Sequence, residues 1–123
     1  MSTLSQAILI VDDTPEGADA AAGLCEMGYD CELAVSVLQA ELMLRKRPFD
    51  LVIHDLNTGA METIRRWGAS MCWGKPVKIV VVSRDFPDLA KELKLTDAGA
   101  LMCRQKLEGV AYITMGILVQ AFD

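Results

Sequence analysis

Histidine is almost absent: His54 is the only one in 123 residues. The four cysteines, Cys25, Cys31, Cys72 and Cys103, include no pair at CxxC spacing. A structural zinc site needs clustered Cys and His at short spacings, so both deficits argue against one. A disulfide framework is also not expected, because the chain is long enough to build a core without it. Reduced, mostly buried thiols in a cytoplasmic protein are the expectation. Basic charge is short too. Twelve Lys and Arg face seventeen Asp and Glu, for a net charge of −5. Domains that bind nucleic acid carry a basic stripe. The only dense basic cluster here is Arg45, Lys46 and Arg47, which suits the C-terminal dipole of a helix. No nucleic-acid partner is expected. Nor is there a long hydrophobic run. The longest mostly apolar segment, residues 110–122, is broken by Thr114 and Gln120 and falls short of the ~20 residues that span a bilayer. The opening MSTLSQ lacks the basic and apolar regions of a signal peptide. No membrane partner is expected.

What remains is the composition of one globular domain covering residues 1–123, standing alone or as part of a longer protein. Hydrophobic residues make up 52% and charged residues 24%, which excludes a disordered or collagen-like chain. Four apolar runs punctuate it: Ile8-Leu9-Ile10-Val11, Leu51-Val52-Ile53, Ile79-Val80-Val81-Val82 and Ala100-Leu101-Met102-Cys103. Runs rich in β-branched residues without polar alternation read as parallel strands buried on both faces. Residues 31–35 alternate around Glu32 and read as an edge strand.

Helices fill the gaps. Thr14-Pro15-Glu16 offers a capping hydroxyl, proline at the first helical position and an early acid; Gly28 is a fitting stop. Ser36-Val37-Leu38-Gln39 is a capping box whose helix ends near Arg47, before Pro48. Further helices are expected over residues 61–67, from Phe86-Pro87-Asp88 to about Leu95, and over 107–122. The alternation βαβαβαβαβα predicts an α/β doubly wound five-stranded parallel sheet with helices on both faces. Ligands of such sheets sit beyond the carboxyl ends of the strands, where strand order reverses.

The polar residues at those ends are Asp12 and Asp13, then Asp55 followed by Asn57, then Ser83, then Lys106. Three carboxylates brought together repel each other, and a hard divalent cation such as Mg2+ resolves the conflict. A carboxylate beside a cation, a lysine and a hydroxyl is placed for phosphoryl transfer. The carboxylate would be the nucleophile, while Lys106 and the cation can neutralise charge and Ser83 can hydrogen-bond a phosphoryl oxygen.

This constellation resembles the CheY-like receiver domain of two-component response regulators. The resemblance rests on Asp12-Asp13 in ILIVDD, Asp55 in FDLVIHDLN, Ser83 in VKIVVVSRD and Lys106 in GALMCRQK. It covers the whole chain and implies a flavodoxin-like sheet of order 2-1-3-4-5. It further implies that Asp55 accepts a phosphoryl group from a phosphohistidine of a sensor histidine kinase or phosphotransfer protein. Asp12, Asp13, Asp55 and the Asn57 carbonyl would hold Mg2+, and Ser83 and Lys106 would contact the phosphoryl oxygens. Such a protein is a phosphoacceptor and switch rather than a conventional enzyme.

Several positions depart from the family pattern. Leu107 replaces the proline that follows the lysine, so a trans Lys106–Leu107 bond is expected, because a cis bond before a non-proline costs about 2.5–4 kcal/mol. Cys103 stands where an aromatic switch residue is usual. Gly59 replaces a proline and Thr63 a glycine, predicting a looser loop after Asp55. Arg84 replaces a small residue and could gate the site or remain solvated. Asn57 and Asp85, two residues beyond Asp55 and Ser83, favour a short-lived phosphorylated state. His54, one residue before Asp55, points away from that carboxylate and reads as a core histidine with a hydrogen-bond partner.

In the terminal helix, Val110, Ile113 and Ile117 can face the sheet, leaving Tyr112, Met115, Val119 and Phe122 on other sides. A homodimer through this helix would cover them. Trp67 and Met71-Cys72-Trp73-Gly74 read as core filling, with a second contact surface as the alternative.

Two other functions compete. A degenerate receiver acting as an interaction or dimerisation module would account for Gly59, Cys103 and Leu107, with Arg84 a further departure. A small enzyme or flavin carrier on the same fold is disfavoured, because Asp-Asp-Thr-Pro occupies the place of a glycine-rich phosphate loop.

Overall fold

The computed structural model describes residues 6–67, 71–83, 94, 96–97, 100 and 102–105. Five parallel strands form one sheet: β1 (Ala7–Val11), β2 (Asp30–Ala34), β3 (Leu51–Asp55), β6 (Ile79–Ser83) and β7 (Met102–Gln105). Their spatial order is β2-β1-β3-β6-β7. Counted along the sheet's own members, this is the expected 2-1-3-4-5. A separate two-stranded hairpin, β4 (Met71–Cys72) with β5 (Lys75–Pro76), is antiparallel.

Alternating side chains of the central strands feed two cores. Leu9, Val11, Val52 and Val81 point to one face, against Ala40 and Leu44 of α2 (Val37–Lys46) and Ala60 and Ile64 of α3 (Ala60–Trp67). Ile8, Ile10, Ile53 and Val80 point to the other, against Ala20 and Leu24 of α1 (Pro15–Glu26). Every residue of β1, β3 and β6 is buried. This is why these runs show no polar alternation: a strand covered by helices on both faces has no wet side. β2 lies at the sheet edge and is only half-buried along most of its length.

The helix ends follow local chemistry. Ser36 caps α2, its hydroxyl accepting from the Gln39 N–H at 3.1 Å, and the Gln39 side chain reaches back to accept from the Val35 N–H at 2.7 Å. The box thus closes one residue earlier than its usual form. α1 ends in a Schellman motif, with the Tyr29 N–H donating to the Leu24 carbonyl and the Gly28 N–H to the Cys25 carbonyl. Thr14 occupies the N-cap position of α1, but its side chain makes no capping bond. Its hydroxyl donates instead to Asp12 Oδ1 at 2.6 Å. The carboxylate takes the hydroxyl proton in a charge-assisted hydrogen bond, the stronger class.

The basic cluster is partly neutralised. Arg47 pairs with Asp30 and Glu32 of β2 and lies over the Phe49 ring, while Arg45 pairs with Glu41. Glu41 also receives Arg66, joining α2 to α3.

Four expectations are corrected. The link is a hairpin, and Trp73 at its turn is not core filling. Trp73 is 55% exposed, and its indole N–H donates to the Leu44 carbonyl at 3.0 Å, satisfying an end group of α2. A type I′ two-residue turn requires positive φ at both positions, which Trp73 (φ 56) and Gly74 (φ 83) supply. Trp67 does pack against the core. Second, the expected run 100–103 is strand at Met102 and Cys103 but not at Ala100, and β7 continues to Gln105, pairing with β6 from Val80↔Met102 to Ser83↔Gln105. Third, the thiols are not mostly buried among the described residues: Cys25 is exposed and Cys31 half-buried, both free. Burial, helped by Cys25, Asp30 and Glu32, pushes the Cys31 thiol up to about 12, so it is no nucleophile at neutral pH.

The fourth concerns the segment after Asp55. It is not a loose loop but a 3-10 turn, η1 (Leu56–Thr58), closed by Gly59, whose N–H donates to the Leu56 carbonyl. Gly59 sits at φ 87, and a Cβ there would meet Val37 Cγ2 at 2.5 Å. Gly59→Ala should therefore destabilise the domain by at least the ~1–2 kcal/mol of a left-handed alanine. Urea unfolding measures it, and an unchanged midpoint would contradict the account.

Of the expected helix over residues 86–95 only Lys94 is described, and it is helical; the expected helix over 107–122, the proposed dimer face, the Lys106–Leu107 bond, Arg84 and Asp85 lie outside the described residues.

Candidate functional site

The sheet order reverses between β1 and β3, with β2 and its helix-linked return on one side and β6 on the other. Asp12 and Asp13 follow β1 directly, and Asp55 ends β3. The reversal therefore brings the carboxyl ends of these neighbouring strands together. Carboxylate oxygens of Asp12, Asp13 and Asp55 lie within 4.8 Å of one another. Asp12 is fully buried, Asp55 is buried and Asp13 is exposed. The trio expected from sequence is thus assembled, with one member facing solvent and an all-oxygen donor set that suits a hard divalent cation.

Each carboxylate is held by its surroundings. The Asp12 N–H donates to the Ala34 carbonyl at 3.0 Å, extending the β1–β2 ladder past the strand end. Asp12 Oδ1 accepts from the Thr14 N–H at 2.8 Å as well as from the Thr14 hydroxyl. It therefore sits at the N-terminus of α1, where the helix dipole favours negative charge. Gly17, one turn into α1, makes this approach possible. A Cβ on Gly17 would lie 2.5 Å from Asp12 Cβ and 2.8 Å from its Cγ.

Asp55 is the N-cap of η1. A 3-10 turn has three residues per turn, so residues i and i+3 share a side. Thr58 consequently stands over Asp55, and its hydroxyl lies 2.9 Å from Asp55 Oδ2 and 3.2 Å from Asp13 Oδ1. The same oxygen accepts from the Asp13 N–H at 3.4 Å. Asn57 is exposed in this turn. Ser83 is buried at the end of β6, one residue beyond Val82, the partner of Asp55. Lys106, the residue after β7, lies outside the described residues, as does the side chain of Cys103.

His54 is fully buried and hydrogen-bonded at both ring nitrogens, as expected of a core histidine. Its Nδ1 is 3.0 Å from the Asp55 carbonyl and its Nε2 is 2.8 Å from the Thr63 hydroxyl. A carbonyl can only accept, so Nδ1 carries the hydrogen and Thr63 donates to Nε2. Burial pushes the His54 pKa down to about 4, against the opposing pull of the Asp55 carbonyl and Asp12. Thr63 is therefore the partner the buried imidazole needs.

Sequence reasoning overlooked Gly17, Thr58 and the pairing of Thr63 with His54. Gly17 did carry a signal, since a glycine inside a helical pattern costs about 1 kcal/mol relative to alanine and calls for a packing reason. Thr58 is visible only once the segment is known to be a 3-10 turn.

No protein-family model matches the sequence, and no curated protein does. Solved structures match well. A response regulator from Thermotoga maritima superposes with a TM-score of 0.79 at 21% identity, over 98% of this chain and all of that one. The receiver domain of the sensor histidine kinase PA1611 from Pseudomonas aeruginosa PAO1, with a magnesium ion coordinated in its active site cleft, gives 0.75 at 20% identity over 98% and 100%. A response regulator protein from Burkholderia pseudomallei, with a phosphorylated aspartic acid and a calcium ion, gives 0.72 at 23% identity over 96% and 72%. Across nearly its whole length, this chain has the fold of the response regulator receiver domains.

Proposed function

We propose that the chain is a single phosphorelay receiver domain in which Asp55 takes a phosphoryl group from the phosphohistidine of a sensor kinase or phosphotransfer protein. The observation that carries this reading is the convergence of three carboxylates within 4.8 Å at the reversal of strand order. An Asp55 oxygen attacks phosphorus, the P–O bond forms as the P–N bond breaks, and the imidazole leaves. Asp12, Asp13, Asp55 and the Asn57 carbonyl are the proposed ligands of Mg2+, which when bound neutralises negative charge on the carboxylates and the phosphoryl oxygens. Ser83 and Lys106 are the proposed contacts of the phosphoryl group. Burial of Asp12 and Asp55 supports the reading, because a site shielded from water strengthens each of these interactions. Phosphorylation then changes a surface that partners read.

Incubation with acetyl phosphate and Mg2+ should add one phosphoryl group that hydroxylamine removes, as it does from an acyl phosphate. Omitting Mg2+ should suppress the addition. A hydroxylamine-stable adduct, or none, would contradict the proposal.

A further inference from the structure

The hydroxyl of Thr58 touches carboxylates from both sides of the site. It lies 2.9 Å from Asp55 Oδ2 and 3.2 Å from Asp13 Oδ1, and it accepts from the Asp13 N–H. The residue is buried. Its carrier is the 3-10 turn that Gly59 closes, and Gly59 is fixed in place against Val37 of α2. The hydroxyl is therefore presented by backbone geometry rather than by a free rotor on a loop.

A hydroxyl has one proton. Shared between Asp55 and Asp13, it supplies positive charge where two anions approach each other, and it leaves further lone pairs on both carboxylate oxygens. It can thus stay in place when a cation arrives. From this geometry we infer that Thr58 is a positioning residue for the divalent cation, holding Asp55 and Asp13 at binding distance before the ion enters. This rests on the metal-dependent reading of the site given above. Asp12, tied to Thr14 and covered by Gly17, is positioned independently of Thr58.

The test is Mg2+ titration by calorimetry on the full chain, with no phosphodonor, for the wild type, Thr58→Val, Thr58→Ala and Thr58→Ser. Valine keeps the shape and removes the hydroxyl; serine keeps the hydroxyl and removes the methyl. Loss of a group that orients metal ligands weakens binding by about 10–100-fold. Thr58→Val should bind Mg2+ about tenfold more weakly, and Thr58→Ser should remain within about twofold of wild type. Thr58→Ala serves as the hydroxyl-free variant should valine fail to fold, as judged by circular dichroism. Valine or alanine binding like wild type would overturn the inference, as would serine binding as weakly as valine. The wild-type titration separates the two levels: absence of any Mg2+ binding there would overturn the metal-dependent function itself, whereas wild-type binding with an unaffected valine variant would overturn only the role of Thr58.

Discussion

Replacing Gly17 by alanine should weaken Mg2+ binding by about tenfold or more and should also destabilise the domain. The usual expectation runs the other way, since alanine inside a helix is favoured over glycine by about 1 kcal/mol. Here the new Cβ would sit 2.5 Å from Asp12 Cβ and 2.8 Å from Cγ. Those atoms lie next to the backbone, so they cannot swing aside as the tip of a long side chain could. Asp12 is fully buried, and its Oδ1 is bonded to Thr14 at the start of the same helix. Either α1 lifts off β1, exposing the Ala20 and Leu24 core, or the Asp12 carboxylate moves out of the trio. Both outcomes weaken the site, and loss of ligand positioning typically costs 10–100-fold in metal affinity. Calorimetric Mg2+ titration with a urea midpoint decides the matter. A Gly17→Ala protein that is more stable and binds Mg2+ normally would contradict the packing described.

Acid should destabilise the domain through His54. Burial holds its pKa near 4 in the fold, against an ordinary value of 6.5 in the unfolded chain. Above pH 6.5 both states are neutral at this residue and it contributes no slope. Between 6.5 and 4 the unfolded chain takes up the proton and the folded one does not, so stability falls as pH falls through that window. The shift corresponds to about 3 kcal/mol in all, at ~1.36 kcal/mol per pH unit. His54→Gln keeps an amide donor for the Asp55 carbonyl and an acceptor for Thr63 but does not titrate. Urea midpoints from pH 7.5 to 4 should therefore drop more steeply for wild type than for the variant. Parallel curves would contradict the buried neutral imidazole.

The sheet was legible in the sequence because burial on both faces leaves a direct mark. A strand such as Ala7–Val11 has no polar alternation, since α2 and α3 pack on one side and α1 on the other. The carboxylate trio was legible for a related reason: each acid follows an apolar run, and a parallel sheet places such positions on one rim. The edge strand β2 was found one residue out of register, because partial exposure blurs its pattern. The segment after Asp55 was misread more seriously. Gly59 suggested freedom, yet its left-handed conformation closes a 3-10 turn that carries Thr58 to the site. Glycine reports a permitted conformation, and whether that means slack or a tight turn depends on what packs around it, here Val37. Thr63 looked like a departure when read alone; in the fold it is the hydrogen-bond donor to His54, nine residues earlier in sequence. The hairpin at Trp73 was hidden because an apolar string reads as core unless its turn geometry is known.

Asp55, the carboxylate at the end of β3, is the proposed acceptor of the phosphoryl group. Intact mass after incubation with acetyl phosphate and Mg2+, taken in parallel for wild type and Asp55→Asn, tests it most directly. One added phosphoryl group on the wild type and none on the variant is the predicted result. Equal addition to both proteins, or none to either, would contradict it.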